Sequence, residues 1–558
     1  MPPAPYGSWY VRTHYKNMSA TNAGAAWFRA NDPTALPAIP HLLTEPMIFQ
    51  KLALFRMQIS NCALWFDMGL GKTLIAIANS LRIFHTNGKY IFVVICPVSI
   101  FGTWSREIIK HISNEICVNV SFVHGVKKKD ALARIHSIKE RTPTFVLTSY
   151  ETLEKVREGL EELDIGCIYF DEVSKIKNMD AARTKSAHTF VRNLPRVPRY
   201  CFSGTPSTAA VSGYYSLYEL LWRGASGTHN IFSFKHQFEE SKKFYVVEHG
   251  SKVSHVFADN AMNWLSRNYP EGSAHSYLDM GYALSEYPAN DRQLRIKHSY
   301  QKVCGVKNLD KLRAITDTCS YCLKKTDVLG DLPPKTLQRR EIEMTEEQHT
   351  AYASMVAEAV VQINEQRFSF KNLNTPFVKL HAIANGFVRA NDDSIHYFKK
   401  QNKIDELIQT IEESGDQKIV VWAALRPQLA KIAEYLDKEE IGYVQLHGGI
   451  ANKDRVKLEA EFTDNPECKI FLANPSVGGL GLNLQTAYLE VFMSNWYSPD
   501  VRAQAEDRCW RKGQLNAVSI WDFLSTGTLE FKILNALLKS ISLENSILKV
   551  SDLTGETT

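Results

Sequence analysis

Short β-branched runs recur along this chain, each followed by a loop of Gly, Ser or Thr and then by a helical pattern, and no other feature restricts its fold as much. Parallel strands cannot be joined by a tight turn and need a crossover, so alternation of strand and helix marks parallel α/β sheets. In the first half the runs are CALWF (Cys62 to Phe66), YIFVVIC (Tyr90 to Cys96), TFVLTS (Thr144 to Ser149), CIYFDE (Cys167 to Glu172) and RYCFSG (Arg199 to Gly204). In the second half they are KIVVWA (Lys418 to Ala423), YVQLHG (Tyr443 to Gly448), KIFLAN (Lys469 to Asn474), LEVFMSN (Leu489 to Asn495) and VSIWDFL (Val518 to Leu524). Two α/β lobes in tandem are therefore expected.

Between Ala225 and Gln417 the pattern turns helical and polar, with the basic pairs Lys242-Lys243, Lys324-Lys325 and Arg339-Arg340. The two prolines of GDLPPKT (Gly330 to Thr336) fix φ and lack an N–H, so this stretch reads as an extended connector between the lobes. The expected division is an N-terminal extension (1–40), lobe one (41–224), a helical insertion with the connector (225–335), a second helical insertion (336–416), lobe two (417–540) and a tail (541–558).

Composition narrows the class. A chain of 558 residues, 44% apolar and 22% charged, can bury several cores and is neither disordered, collagenous nor coiled-coil. The apolar run from Tyr90 to Val98 is too short to span a bilayer, which takes about 20 residues. The N-terminus, MPPAPYGSWYVRTHY, has no apolar stretch of signal-peptide type, so a cytoplasmic setting is expected. A net charge of +5 permits a basic groove without requiring one. The ten Cys lie mostly in apolar segments and read as reduced core residues. Cys319 and Cys322 form one C-x-x-C, with Cys304 and His298 upstream. It falls in what reads as a helix, without a second such pair, and no metal site is expected there.

The stretch ALWFDMGLGKTLIAIANSL carries the chemistry. A strand ends at Phe66, a loop holds Gly69 and Gly71, and Lys72-Thr73 opens a helix. Glycines let successive backbone N–H groups face a phosphate, and in such a loop Lys72 would neutralise β- and γ-phosphates and Thr73 would ligate Mg²⁺. The loop departs from G-x-x-x-x-G-K-[ST] at its first glycine, where Phe66 stands. Such a loop needs an acidic strand end to hold the metal. Asp171 and Glu172 supply it, Asp171 positioning Mg²⁺ and Glu172 acting as general base on the attacking water. Late in the chain, RAQAEDRCWRKGQ places Arg508 and Arg511 three apart on a helical pattern, hence on one face and able to reach one γ-phosphate.

In this order the segments resemble helicase superfamily 2, and within it the SWI/SNF-type branch of double-stranded-DNA translocases. EPMIFQKLAL resembles the glutamine motif, DMGLGKT motif I, ICPVSIFGTWSREI motif Ia, VLTSYETL motif Ib, DEVSKIKN motif II and FSGTP motif III. LGDLPPKT and MTEEQHTAY look like the stretch linking the lobes. LHGGI, ANPSVGGLGLNLQTA and QAEDRCWRKGQ resemble the region after motif IV, motif V and motif VI, and STGTLEFKI the closing segment. The resemblance covers about residues 40 to 540. It implies two RecA-like parallel-sheet lobes with a mainly helical insertion between them, in a compact form of bacterial or phage type. It implies ATP and Mg²⁺ as cofactors and a DNA-dependent ATPase moving on double-stranded or branched DNA. The alternatives are a strand-separating helicase and an ATP-holding switch that does not turn over. Gln50 would then lie near the adenine, Gly479 and Gln504 near the nucleotide, and Ser99, Thr148, Ser149, Ser476 and Gly478 along the DNA phosphates. Two departures stand out. Motif II has Ser174 where His or Asp is usual, which bears on coupling to motif III. The arginine pair ahead of the connector is replaced by Lys324-Lys325.

Overall fold

Burial explains why the β-branched runs are continuous and do not alternate. The computed structural model describes residues 38–125, 127–138, 141–204, 206, 211–249, 252–257, 294–364, 374–390, 392–450, 452–478 and 482–547. Lobe one holds β1 (Cys62–Phe66), β2 (Ile91–Ile95), β3 (Asn119–Val123), β4 (Thr144–Thr148), β5 (Ile165–Asp171) and β6 (Arg199–Ser203). Every residue of β1, β2, β4, β5 and β6 is buried. Such strands are covered by helices on both faces and have no solvent side to mark with polar residues. Alternate residues of β1 feed opposite cores: Ala63 and Trp65 join one, while Cys62, Leu64 and Phe66 join the other.

The intervening stretch is helical in part, but it also contains sheet that the polar pattern did not reveal. β7 (Glu239–His249), β8 (Lys252–Phe257) and β9 (Leu294–Val306) make a three-stranded antiparallel sheet in the order β8-β7-β9. After the helix Leu309–Cys319, β10 (Ser320–Leu323) returns to lobe one and pairs in parallel with β1. Cys319 thus ends a helix and Cys322 lies on a strand, correcting the expectation of one helix for both. His298 and Cys304 fall on β9, and among the described residues no group of three or more His, Cys, Asp or Glu is placed to hold a metal ion. Beyond the connector, β11 (Lys335–Ile342) joins lobe two, followed by the helices Glu346–Asn364 and Asn374–Ala384 and the hairpin of β12 (Phe387–Arg389) and β13 (Ile395–Tyr397).

Lobe two repeats the plan with β14 (Ile419–Trp422), β15 (Tyr443–Leu446), β16 (Ile470–Ala473), β17 (Leu489–Phe492) and β18 (Val518–Ser525). The two sheets run β10-β1-β6-β5-β2-β4-β3 and β11-β18-β17-β14-β16-β15, and all their pairings are parallel. In open sheets of this kind, ligands bind beyond the carboxyl ends of the strands. The loop after β1, which leads into the helix at Lys72, and the turn after β5, which holds Glu172, are there. Among the described residues no helix is long and apolar enough to cross a membrane.

Candidate nucleotide site between the lobes

The helix Lys72–Asn87 begins without a side-chain cap, because Gly71 precedes it in the left-handed region at φ +76°. Its first N–H groups are left for a ligand, and with the helix dipole they favour an anion. Gly69 is also left-handed, at φ +83°. The conformation favours glycine at Gly71, and a Cβ there would stand 2.4 Å from Gln50 Nε2 and displace that side-chain amide. Gln50 is buried and ties its own helix to this loop: Oε1 accepts the Met47 N–H at the helix N-terminus at 2.8 Å, and Nε2 donates to the Leu70 carbonyl at 3.1 Å. Lys72 Nζ donates to the carbonyls of Phe66 at 2.7 Å and Asp67 at 3.2 Å.

Asp171 ends β5 with both carboxylate oxygens occupied. Oδ1 accepts the Glu172 N–H at 3.0 Å and Oδ2 accepts the indole N–H of Trp104 at 2.9 Å. Trp104 is buried on the helix Phe101–His111. Its bond to the acidic strand end was not legible from sequence, because nothing in the Trp104 segment alone shows which strand end it reaches. Burial raises the Asp171 carboxyl above its usual range, while the bond from Trp104 and the charge of Lys72 act against that. Glu172 adopts φ +51°, a left-handed conformation that costs a non-glycine residue about 1–2 kcal/mol and here turns the side chain off the strand line. Burial, then the neighbouring Asp171, raises its carboxyl to about 7 against the pull of Lys72 and Arg508. Its Oε2 is buried without a hydrogen-bond partner.

The arginines come from lobe two. They lie not on one helix face, as expected, but in the turns beyond the helix Pro499–Glu506. They still converge, since both guanidinium groups donate to the Leu482 carbonyl at 3.2 Å. Arg508 is buried, donates through Nε to the Gln504 carbonyl at 2.9 Å, and meets Met68 Sδ of the phosphate loop at 3.0 Å. Burial and the charge of Arg511 bring its guanidinium down to about 10. Gln504 therefore contributes its backbone. Met68, Gly69, Gly71, Lys72, Thr73, Trp104, Asp171 and Glu172 of lobe one and Asp507, Arg508, Arg511 and Lys512 of lobe two line one cleft of about 380 Å³. Neither Gln50 nor Gln504 lines it.

Thr73 and Asp171 offer hard oxygen donors, the type Mg²⁺ prefers, beside cations that suit a triphosphate. The orphaned Glu172 Oε2 points to a missing polar partner in the same cleft. The residues fit a metal–nucleotide complex.

The expected DNA contacts fare differently. Thr148 is fully buried and donates to the Val123 carbonyl at 3.1 Å. Ser149 is equally buried and caps the helix Tyr150–Glu161, accepting the Thr152 N–H at 3.2 Å. Neither hydroxyl faces outward, so both are withdrawn as phosphate contacts. Ser99 is half-buried in the short turn Val98–Ile100, Ser476 is exposed on the helix Pro475–Gly478, and Gly478 ends that helix. Gly479 lies outside the described residues.

Comparison with known proteins matches this sequence to one family. The chain is 24% identical over 501 residues to the ISWI chromatin-remodeling complex ATPase ISW2 of Saccharomyces cerevisiae, covering 87% of this chain and 38% of that protein. It is 24% identical over 532 residues to the human DNA excision repair protein ERCC-6, covering 87% of this chain and 30% of that one. This chain thus spans well under half the length of these relatives. Among solved structures, the Sulfolobus solfataricus SWI2/SNF2 ATPase core in complex with dsDNA aligns with 93% of this chain and 96% of its own, at 22% identity and a TM-score of 0.38. The SNF2-related domain matches residues 22–387 and the helicase conserved C-terminal domain residues 400–513. The chain belongs to the SNF2-related family of helicase-like ATPases.

Proposed function

We propose that this chain hydrolyses ATP in a DNA-dependent manner and uses the cycle to move along double-stranded or branched DNA. One observation carries the reading: Lys72, Asp171 and Glu172 of lobe one and Arg508 and Arg511 of lobe two line the same cleft. A site split in this way is complete only when the lobes are together, so nucleotide binding favours closure and hydrolysis relaxes it. Lys72 and the N–H groups at the start of its helix bind the phosphates. Glu172, poised near neutrality, takes the proton of the attacking water. Arg508 and Arg511 stabilise charge on the transferring phosphoryl group, an effect worth about 10³ to 10⁵ in rate where it is used. A magnesium ion held by Thr73 and Asp171 would neutralise charge on the β- and γ-phosphate oxygens.

DNA enters this reading through the family and its relatives. Binding would run through phosphates and carry no base sequence. Ser99, Ser476 and the backbone near Gly478 remain the candidates. The experiment is a survey of ATPase stimulation by duplex, single-stranded and forked DNA at two salt concentrations, with unwinding of a tailed duplex measured alongside. Stimulation by duplex without unwinding, weakening steeply with salt, is the expected result. Unwinding would instead favour a strand-separating helicase. No hydrolysis under any condition would leave an ATP-holding switch.

A further inference from the structure

Lys325 follows β10, at the edge of the lobe-one sheet, and its side chain is fully buried. An ammonium in such a place is costly unless partnered. Its partners come from the other lobe. Nζ donates to Asp507 Oδ1 and to the Trp510 carbonyl, both at 2.6 Å, and lies 5.2 Å from the centre of the Trp510 ring. The same residue's backbone N–H donates at 2.9 Å to Asp67 Oδ2, at the start of the phosphate loop. Its Cε approaches within 3.9 Å of where a Gly69 Cβ would stand, so the side chain runs beneath that loop.

One residue therefore holds two loops, the phosphate loop by its amide and the lobe-two turn by its ammonium. Asp507 directly precedes Arg508, and Trp510 directly precedes Arg511. Asp67 and Asp507 are close enough to repel, and burial together with Asp507 raises the Asp67 carboxyl, so Lys325 is the cation shared between two acids. Each lobe has its own apolar cores without these contacts, which join the lobes and not the cores.

We propose that Lys325 is a positioning residue that sets the register of the 507–511 turn on the phosphate loop, and through it the placement of Arg508 and Arg511 at the transferring phosphate. This rests on the ATPase reading above. The test compares the full chain with Lys325→Met and Asp507→Asn, singly and together, by steady-state ATPase, fluorescent-ADP binding and trapping with ADP–aluminium fluoride. Lys325→Met should lower kcat by about 10²-fold, the scale of a roughly 1 Å misplacement, with KM for ATP near wild type. ADP affinity should persist, while affinity for the fluoride complex falls in proportion to kcat. The double variant should lose less than the product of the single losses. Wild-type kcat in Lys325→Met overturns the proposal, as does a parallel loss of kcat, ADP affinity and melting temperature, which marks a role in folding alone. If Lys72→Ala abolishes hydrolysis while Lys325→Met leaves it intact, this inference fails and the ATPase reading stands. A wild-type chain that hydrolyses nothing overturns both.

Discussion

Glu172 illustrates how one residue's surroundings decide its chemistry. Its backbone strain, its burial beside Asp171 and its orphaned Oε2 all belong to a carboxylate that retains its proton more readily than one in water. The sign for activity follows. A general base works deprotonated, so hydrolysis should rise with pH through about 7 and fall about tenfold per unit below it. Initial rates between pH 5.5 and 8.5 measure this limb, and Glu172→Gln should remove it while lowering kcat by about 10² to 10⁴-fold with ATP binding retained. Trp104→Phe keeps an aromatic ring, leaves a small gap where the indole was, and deletes the N–H bond to Asp171, a bond to a charged group worth about 1.5–3 kcal/mol. A raised Mg²⁺ requirement for hydrolysis is the expected outcome, read from a magnesium titration of the rate.

At the scale of elements, Gly71 joins local backbone to the site. Gly71→Ala demands a left-handed alanine and pushes the Gln50 amide off the Leu70 carbonyl, so phosphate binding should be lost and the chain destabilised by about 1–2 kcal/mol from conformation alone. Thermal melting with and without ATP would show a lower midpoint and no shift on adding nucleotide. Adding Gln50→Ala relieves the clash but not the φ, so recovery should be partial.

The elements also show where sequence reading reaches its limit. Strands buried on both faces, such as β2 and β5, stand out as unbroken apolar runs. The edge strands β3, β10 and β11 do not. β3 is partly and β11 largely exposed, and the charges of KTLQRREI protect an open edge while erasing the strand pattern. β10 follows the helix Leu309–Cys319 with no residue between them and reads as its continuation. Lys72, Thr73, Asp171 and Glu172 were legible because a phosphate site needs those types next to a strand end. Trp104 and Lys325 were not, because their partners lie far away along the chain. Thr148 and Ser149 misled for the opposite reason: a hydroxyl at a strand end reads the same whether it caps a buried helix or meets a phosphate.

At the scale of the molecule, the lobes meet through polar contacts around the cleft. Lys325 binds Asp507, Lys177 approaches Asp500 at 3.4 Å, and Arg508 reaches Met68. A polar seam can open and close without exposing an apolar core, as the proposed cycle requires. The central claim is that hydrolysis belongs to neither lobe alone. Single-turnover hydrolysis and ATP affinity, measured on the same preparations of Arg508→Ala and Arg511→Ala, test it most directly. The account predicts near wild-type ATP binding with hydrolysis slowed by about 10³ to 10⁵-fold. Unchanged hydrolysis in both variants would contradict it.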